Sequence, residues 1–360
     1  FEGTSASLGD IYIQQQQTDQ AIALYQSATE ANPTEAWPLR LLGNAYALVG
    51  DNEQALAAFK QALVLEPDNA SLYTQLGNLY QWNRQQPAEA LPYYRRAVAL
   101  APDQGWYYTT LAGALFALGQ KTEAQKTLET ALRREPNSTV VQQAVGDLML
   151  QYESPAAAQP YYEQAIKLDP KNAYAHLGLA RFYQQMGDFA KALDHLQQSI
   201  NFAPNQYLQA DANLEMANLY LAQNKPDAGL EQLLPTIDQI PTDSRLYAAA
   251  GNLYYQQGNI EQALSYYRRS TEIPPPIVWH YLTLGAFLLE IGQSEEGLQV
   301  LQSAVAIDPN SSAVHQRVAE LAVQYGQPQL ALPYLEKAIN LDPNNEAAKS
   351  LLENLKTQLN

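Results

Sequence analysis

The chain of 360 residues contains no cysteine. That excludes disulfides, a thiolate nucleophile, and zinc or iron–sulfur sites ligated by sulfur. Basic residues are scarce: 21 Lys and Arg stand against 37 Asp and Glu, a formal net charge of −16 carried by both halves of the chain. Such a chain has little to gain from counterion release on a phosphate backbone, so nucleic acid and anionic membrane surfaces are poor partners. No apolar run approaches the ~18 residues of a membrane span, and direct membrane insertion is not expected. Phenylalanine is sparse, 7 against 24 tyrosines. Signatures of catalysis are missing as well: no Walker loop, GxGxxG, GxSxG or HExxH occurs, and neither an enzymatic centre nor a cofactor is expected. The first residue is Phe1, not Met. An upstream signal peptide or anchor is compatible with that start, and the compartment, cytoplasmic or periplasmic, stays open.

Against these absences stands a strong internal period. Prolines fall at Pro33, Pro67, Pro102, Pro136, Pro170, Pro204, Pro241, Pro275, Pro309 and Pro343, spaced by 34 residues in seven of nine intervals, by 35 in one and by 37 in another. Twelve residues before each sits a small residue: Ala21, Ala55, Ala90, Ala124, Ala158, Ala192, Gly229, Ala263, Gly297 and Ala331. Five before it comes another, from Ala28 to Ala338, with Ser199, Thr236 and Ser270 as variants. Eight before it comes a large one: Tyr25, Phe59, Tyr94, Leu128, Tyr162, Leu196, Leu233, Tyr267, Leu301 and Leu335. Self-similarity at this period marks an array of one supersecondary unit.

Each unit reads as two helices. The first carries a segment such as Leu42-Gly43-Asn44-Ala45-Tyr46 and breaks near a glycine with a polar neighbour, as at Gly50-Asp51, Gly187-Asp188 and Gly258-Asn259. That is the left-handed C-cap of a helix end. The second often opens on proline (Pro87, Pro155, Pro226, Pro328), which costs little where the N–H has no intrahelical partner. Small residues let the two backbones approach, and the large residue one turn away fills the space between units. No hairpin can bury its apolar face alone, so stability requires stacking.

On these residues the chain resembles the tetratricopeptide repeat family, in ten units from about Glu2 to Pro343. The resemblance implies an all-α fold, a right-handed α-solenoid of about ten helix–turn–helix repeats. The expected organisation is a single solenoid over residues 1–343 and a C-terminal capping helix over 344–360. In the cap, Leu351, Leu352, Leu355 and Leu359 point inward while Glu346, Lys349, Glu353 and Lys356 point outward, which reads as the chain's own end. The large residue early in the first helix is often Tyr or His here: Tyr73, Tyr108, His176, Tyr247, Tyr281, His315. One extra residue near 82–86 is expected to lengthen a hairpin turn. Three more lie between Pro204 and Asp211, and Pro235 falls inside a second helix, so 204–276 is the candidate irregular junction or hinge.

The four histidines fall in four different units without metal spacing and are read as packing residues. The sequons at Asn69, Asn137 and Asn310 each follow a periodic proline and are read as turn chemistry. The informative positions lie on the first helices, which by resemblance line a concave groove. Thirty residues before the periodic proline stand Trp37, Trp106 and Trp279, together with Tyr174 and Arg245; Trp82 falls near the end of a first helix on the same face. Twenty-three before it stand Asn44, Asn218 and Asn252, with Arg181 in the same slot and Asn78 there too at twenty-four, one further because of its repeat's extra residue, and Arg40 and Thr74 add polar handles. Trp supplies anchor area, and a carboxamide both donates to and accepts from a peptide backbone. The expected function is a non-enzymatic scaffold holding a neutral to basic peptide segment or partner protein in the groove. Two alternatives remain: a recruitment or regulatory region of a larger enzyme (glycosyltransferase-like) or of a polysaccharide secretion machine, and an assembly factor acting by self-association.

Overall fold

The structure is a computed structural model that describes residues 2–14 and 17–359, with side chains over 6–13 and 17–358. Leu359, one of the inward leucines expected of the cap, therefore has its side chain outside the described residues. Among the described residues the chain is all-α, with no strand. It forms two compact units, Phe1–Gly187 and Asp188–Asn360, and the expected junction at 204–276 lies within the second.

The first unit contains α1 (Glu2–Gln14), α2 (Thr18–Ala31), α3 (Ala36–Leu48), α4 (Asn52–Leu65), α5 (Ala70–Asn78), α6 (Pro87–Leu100), α7 (Gly105–Ala117), α8 (Lys121–Arg134), α9 (Thr139–Tyr152), α10 (Pro155–Leu168) and α11 (Ala173–Gln185). The second contains α12 (Phe189–Phe202), α13 (Gln206–Ala222), α14 (Pro226–Gln239), α15 (Ser244–Gln256), α16 (Ile260–Glu272), α17 (Val278–Glu290), α18 (Ser294–Ile307), α19 (Ser312–Gln324), α20 (Pro328–Leu341) and α21 (Glu346–Leu359). In each unit a first helix packs on the second helix of its own hairpin and on the next hairpin, as α9 does with α10 and α11, and α17 with α18 and α19. First helices of neighbouring hairpins also touch directly: α1 and α3, α7 and α9, α9 and α11 in one unit, α13 and α15, α17 and α19 in the other. Second helices do not meet their counterparts to a like extent among the described residues. First helices therefore form the inner row of each unit.

The periodic positions behave as their sizes require. All ten residues at each of the three registered positions are buried, the small ones at the helix crossing and the large ones between hairpins. Gly50, Gly119, Gly187, Gly258, Gly292 and Gly326 close first helices at φ of 72–84°, the left-handed conformation that costs glycine nothing. Asn224 at φ 58° takes that place between α13 and α14. Two residues after the proline, Asn69, Asn172 and Asn345 accept N-cap bonds, and so do Ser138 and Ser311. The turn reading of the sequons holds, but at Asn137 and Asn310 the serine that follows, not the asparagine, does the capping.

The recurrence of Tyr and His early in the first helix has a specific cause. Tyr73, Tyr108 and Tyr247 donate their hydroxyls to the carbonyls of Pro67, Pro102 and Pro241, at 3.1, 3.0 and 3.2 Å. Nε2 of His176 and of His315 bonds the carbonyls of Pro170 and Pro309, at 3.2 and 3.0 Å. Gln142 does the same to Pro136 at 2.9 Å. The side chain six residues on thus satisfies the carbonyl of the turn between hairpins. Tyr281, six after Pro275, departs from this pattern and donates its hydroxyl to the Thr271 carbonyl at 2.8 Å; its neighbour His280 has Nδ1 3.3 Å from the Ser270 carbonyl.

The irregular segments resolve differently from expectation. The extra residue of the third repeat does not simply lengthen a turn. Helix α5 runs on as a π-helical turn, Leu79–Asn83, which absorbs one residue per turn beyond the α geometry. The three residues before Asp211 form no loop either, but extend α13 to 17 residues.

Burial holds the His280 imidazole below its ordinary pKa, against the upward pull of its Ser270 bond and Asp243; Arg245 adds to the depression. The folded chain keeps His280 neutral, while the unfolded chain protonates it below ~6.5. Its contribution is therefore present above that pH and lost as pH falls through it. The melting midpoint is expected to drop between pH 7 and 5, and more steeply in the wild type than in His280→Gln. Identical slopes would show that His280 plays no part.

Candidate functional site

Tyrosine at the large registered position has a second task. Tyr94 donates its hydroxyl to Asn78 Oδ1 at 2.8 Å, Tyr162 to Asp147 Oδ1 at 2.7 Å, and Tyr267 to Asn252 Oδ1 at 2.7 Å. Each bond crosses from the second helix of a hairpin to the inner face of its first. Burial pushes the Tyr94, Tyr162 and Tyr267 hydroxyls well above the usual phenol range, Asp147 adding to the effect at Tyr162, so they remain donors at neutral pH. Asn78 and Asn252 are thereby oriented, with the carboxamide oxygen engaged and the NH₂ left to donate. In the repeats of Asn44 and Asn218 the large position holds Phe59 and Leu233, which have no hydroxyl to donate.

Two cavities open on the inner rows, one in each unit. In the first, of about 210 Å³, Asn78 and Trp82 meet with Gln81, Thr109, Thr110, Gly113, Asp147 and Leu148. In the second, of about 360 Å³, Asn252 and Trp279 meet with Tyr255, Thr283, Phe287, Glu290 and Arg317. Trp82 and Trp279 are 61% and 58% exposed, an uncommon state for so large a ring. Tyr255 stands edge-on to Phe287 and donates its hydroxyl to Glu290. Arg317 pairs with Glu320 at 3.1 Å.

The other expected residues are distributed unevenly. Trp37, Arg40 and Asn44 are half-buried and line neither cavity. Tyr174, Arg181 and Asn218 are exposed but likewise outside both. Trp106 is half-buried, packed on the core of the first unit with its ring 3.9 Å from that of Tyr107. Thr74 is no handle at all: it is buried, and its hydroxyl donates to the Ala70 carbonyl of its own helix. Arg245 is engaged by Asp211 at 2.9 Å and Asp243 at 2.7 Å.

Sequence reasoning missed Gln81, Asp147, Tyr255 and Glu290, and it missed the orienting tyrosines. The latter had a signal. Tyrosine occupies the large position in four repeats, and in all four the residue twenty-three before the proline (twenty-four in the repeat with the extra residue) is Asp or Asn: Asp10, Asn78, Asp147, Asn252. Among the described residues no group of His, Asp and Glu has the arrangement of a metal site, and no helix is long and apolar enough to cross a membrane.

Comparison with known families matches this chain to models described as tetratricopeptide repeat over residues 82–148, 149–210, 214–276 and 313–345, and as TPR repeat over 9–50 and 43–83. Curated relatives include anaphase-promoting complex subunit CDC16 of Saccharomyces cerevisiae, 23% identical over 45% of this chain and 19% of that protein. Protein CTR9 homolog of Arabidopsis thaliana is 29% identical over 33% of this chain and 11% of its own length. The chain thus spans a fifth or less of either relative. Among solved structures, yeast Tom70 aligns with a TM-score of 0.60 at 13% identity, over 99% of this chain and 96% of that one, a likeness of fold.

Proposed function

The chain belongs to the tetratricopeptide repeat family, and from that membership we propose a non-enzymatic protein-interaction scaffold that holds an extended peptide along the inner rows of its first helices. One observation carries the reading. In each unit an exposed Trp and a Tyr-oriented Asn share one cavity, Trp82 with Asn78 and Trp279 with Asn252. The ring offers anchor area, and the amide NH₂ is set to donate to a peptide carbonyl without first losing rotational freedom. The net charge of −16 supports a partner of neutral to basic character.

Selection from a displayed library of random dodecamer peptides tests this. Peptides captured by the wild type are expected to be lost on Trp82→Ala or Trp279→Ala while both variants melt as the wild type does. Capture that survives both substitutions would place recognition elsewhere.

A further inference from the structure

The π-helical turn Leu79–Asn83 carries Gln81 and Trp82. An i→i+5 turn swings the side chains that follow it away from the α register, which is why such turns recur at functional sites. Here both side chains line the 210 Å³ cavity, together with Asn78, Ala144, Asp147 and Leu148. Gly113 lines it, at the registered position where six of the other repeats carry Asn or Asp. A Cβ placed on Gly113 would lie 3.5 Å from Leu148 Cδ2 and 4.0 Å from Gln81 Nε2, ordinary van der Waals contact, so a side chain can enter the cavity there without a clash at its first carbon.

Gln81 is only 6% exposed, and its Oε1 has no hydrogen-bond partner among the described residues. A buried acceptor without a donor is costly. Gln81 Nε2 is the atom within 4.0 Å of a Gly113 Cβ, and the terminal torsion of a glutamine is broad and roughly two-fold, so a half-turn exchanges Nε2 and Oε1 and lets the oxygen meet a donor in the cavity. Asp147 stands at the rim, solvent-exposed, with one oxygen taking the Tyr162 hydroxyl at 2.7 Å and the other the Gln143 amide at 3.3 Å. A carboxylate has lone pairs beyond those two bonds. Trp82 presents its ring on the same cavity, and Ala144 and Leu148 supply apolar wall. Nearby cations are accounted for: Arg84 pairs with Glu53 at 3.0 Å and lies over the Tyr80 ring, and Arg181, which acts on Asp147, does not line the cavity.

Apolar wall, an aromatic face, a carboxylate and an unmet acceptor fit a long side chain with a planar cationic head. We propose that this cavity receives an arginine of the bound peptide, its guanidinium over the Trp82 ring and donating to Gln81 and Asp147. This rests on the peptide-holding reading above and names the chemistry of one contact.

The test uses the full chain labelled with ¹⁵N at its indoles, the Trp82 signal being identified by its loss in Trp82→Phe. The probes are the N-acetyl methylamides of arginine, of citrulline (its neutral isostere) and of norleucine. The arginine probe is expected to shift the Trp82 signal, with the citrulline probe binding about tenfold more weakly and norleucine more weakly still. Asp147→Asn should weaken the arginine probe by about tenfold. Gly113→Leu should fill the cavity and abolish the shift without lowering the melting midpoint. Equal shifts from all three probes, or a shift that survives Gly113→Leu, would overturn the arginine site. Displayed peptides that need Trp82 but carry no arginine, with no shift from the arginine probe, overturn it too and leave the peptide reading standing. An arginine-specific shift with no peptide captured supports the site and overturns the peptide reading.

Discussion

Tyr162→Ala is expected to destabilise the first unit by about 3–5 kcal/mol, the range for deleting a fully buried aromatic ring. The ring is 1% exposed and lies between two first helices. A Cβ on Gly146 of its own hairpin would come within 2.7 Å of it, and a Cβ on Gly178 of the next hairpin closer still. Little space for collapse remains around a side chain gripped from both sides, so the upper half of the range applies. Gly178→Ala approaches the same contact from the other direction. Alanine is worth ~1 kcal/mol over glycine in a helix interior, but overpacking costs ~1–3 kcal/mol. The ring has nowhere to retreat, because its hydroxyl is tied to Asp147. The clash should therefore win, and Gly178→Ala should melt below the wild type despite its better helix former. Tyr162→Phe separates packing from the bond: its loss should fall at about 1.5–3 kcal/mol, the range for a hydrogen bond to a charged group. A Tyr162→Ala protein melting within a degree or so of the wild type would mean that the ring does not join the two hairpins.

That contact shows why the fold was largely legible in the sequence and the site only partly. Steric demand repeats: Ala or Gly at the crossing and a ring or Leu beside it recur in every unit, because a misfit there disrupts two hairpins at once. The periodic proline, the first-helix glycine and the N1 prolines are equally local and equally readable. The Tyr–Asn and Tyr–Asp pairs were readable too, since their separation of 15 or 16 residues is set by the hairpin. The cavity around Gln81 was not. It depends on one inserted residue being taken up as a π turn, and the sequence alone does not say whether an insertion enters a helix or its turn. Thr74 failed for a related reason. Its register places it on the first helix, but a rotation of a few tens of degrees separates a groove position from a buried one, and its hydroxyl bonds the Ala70 carbonyl inside its own helix.

Trp106 and Trp279 share one register position, thirty residues before a periodic proline, yet opposite outcomes are expected on truncation. Trp106 is half-buried against the core around Leu111, Leu115 and Val141. Removing its ring opens space in that core, and Trp106→Ala should cost ~3 kcal/mol or more in stability, toward the low end for a large aromatic because part of the ring is already wet. Trp279 is 58% exposed, so little buried area is lost when it is removed and its melting midpoint should hardly move. Its loss should appear in binding instead, at ~2 kcal/mol or more for a true anchor, which is about thirtyfold in dissociation constant for a captured dodecamer. What separates the two is the neighbouring side chain. At the position after the Trp, Tyr107 supplies a ring for Trp106 to lie on, whereas His280 turns its imidazole toward the Ser270 carbonyl and leaves Trp279 facing the cavity. Melting and titration of both variants therefore read the same register twice. Equal losses of stability in the two proteins would reduce Trp279 to a packing residue and move the second unit's contact to Tyr255 and Glu290.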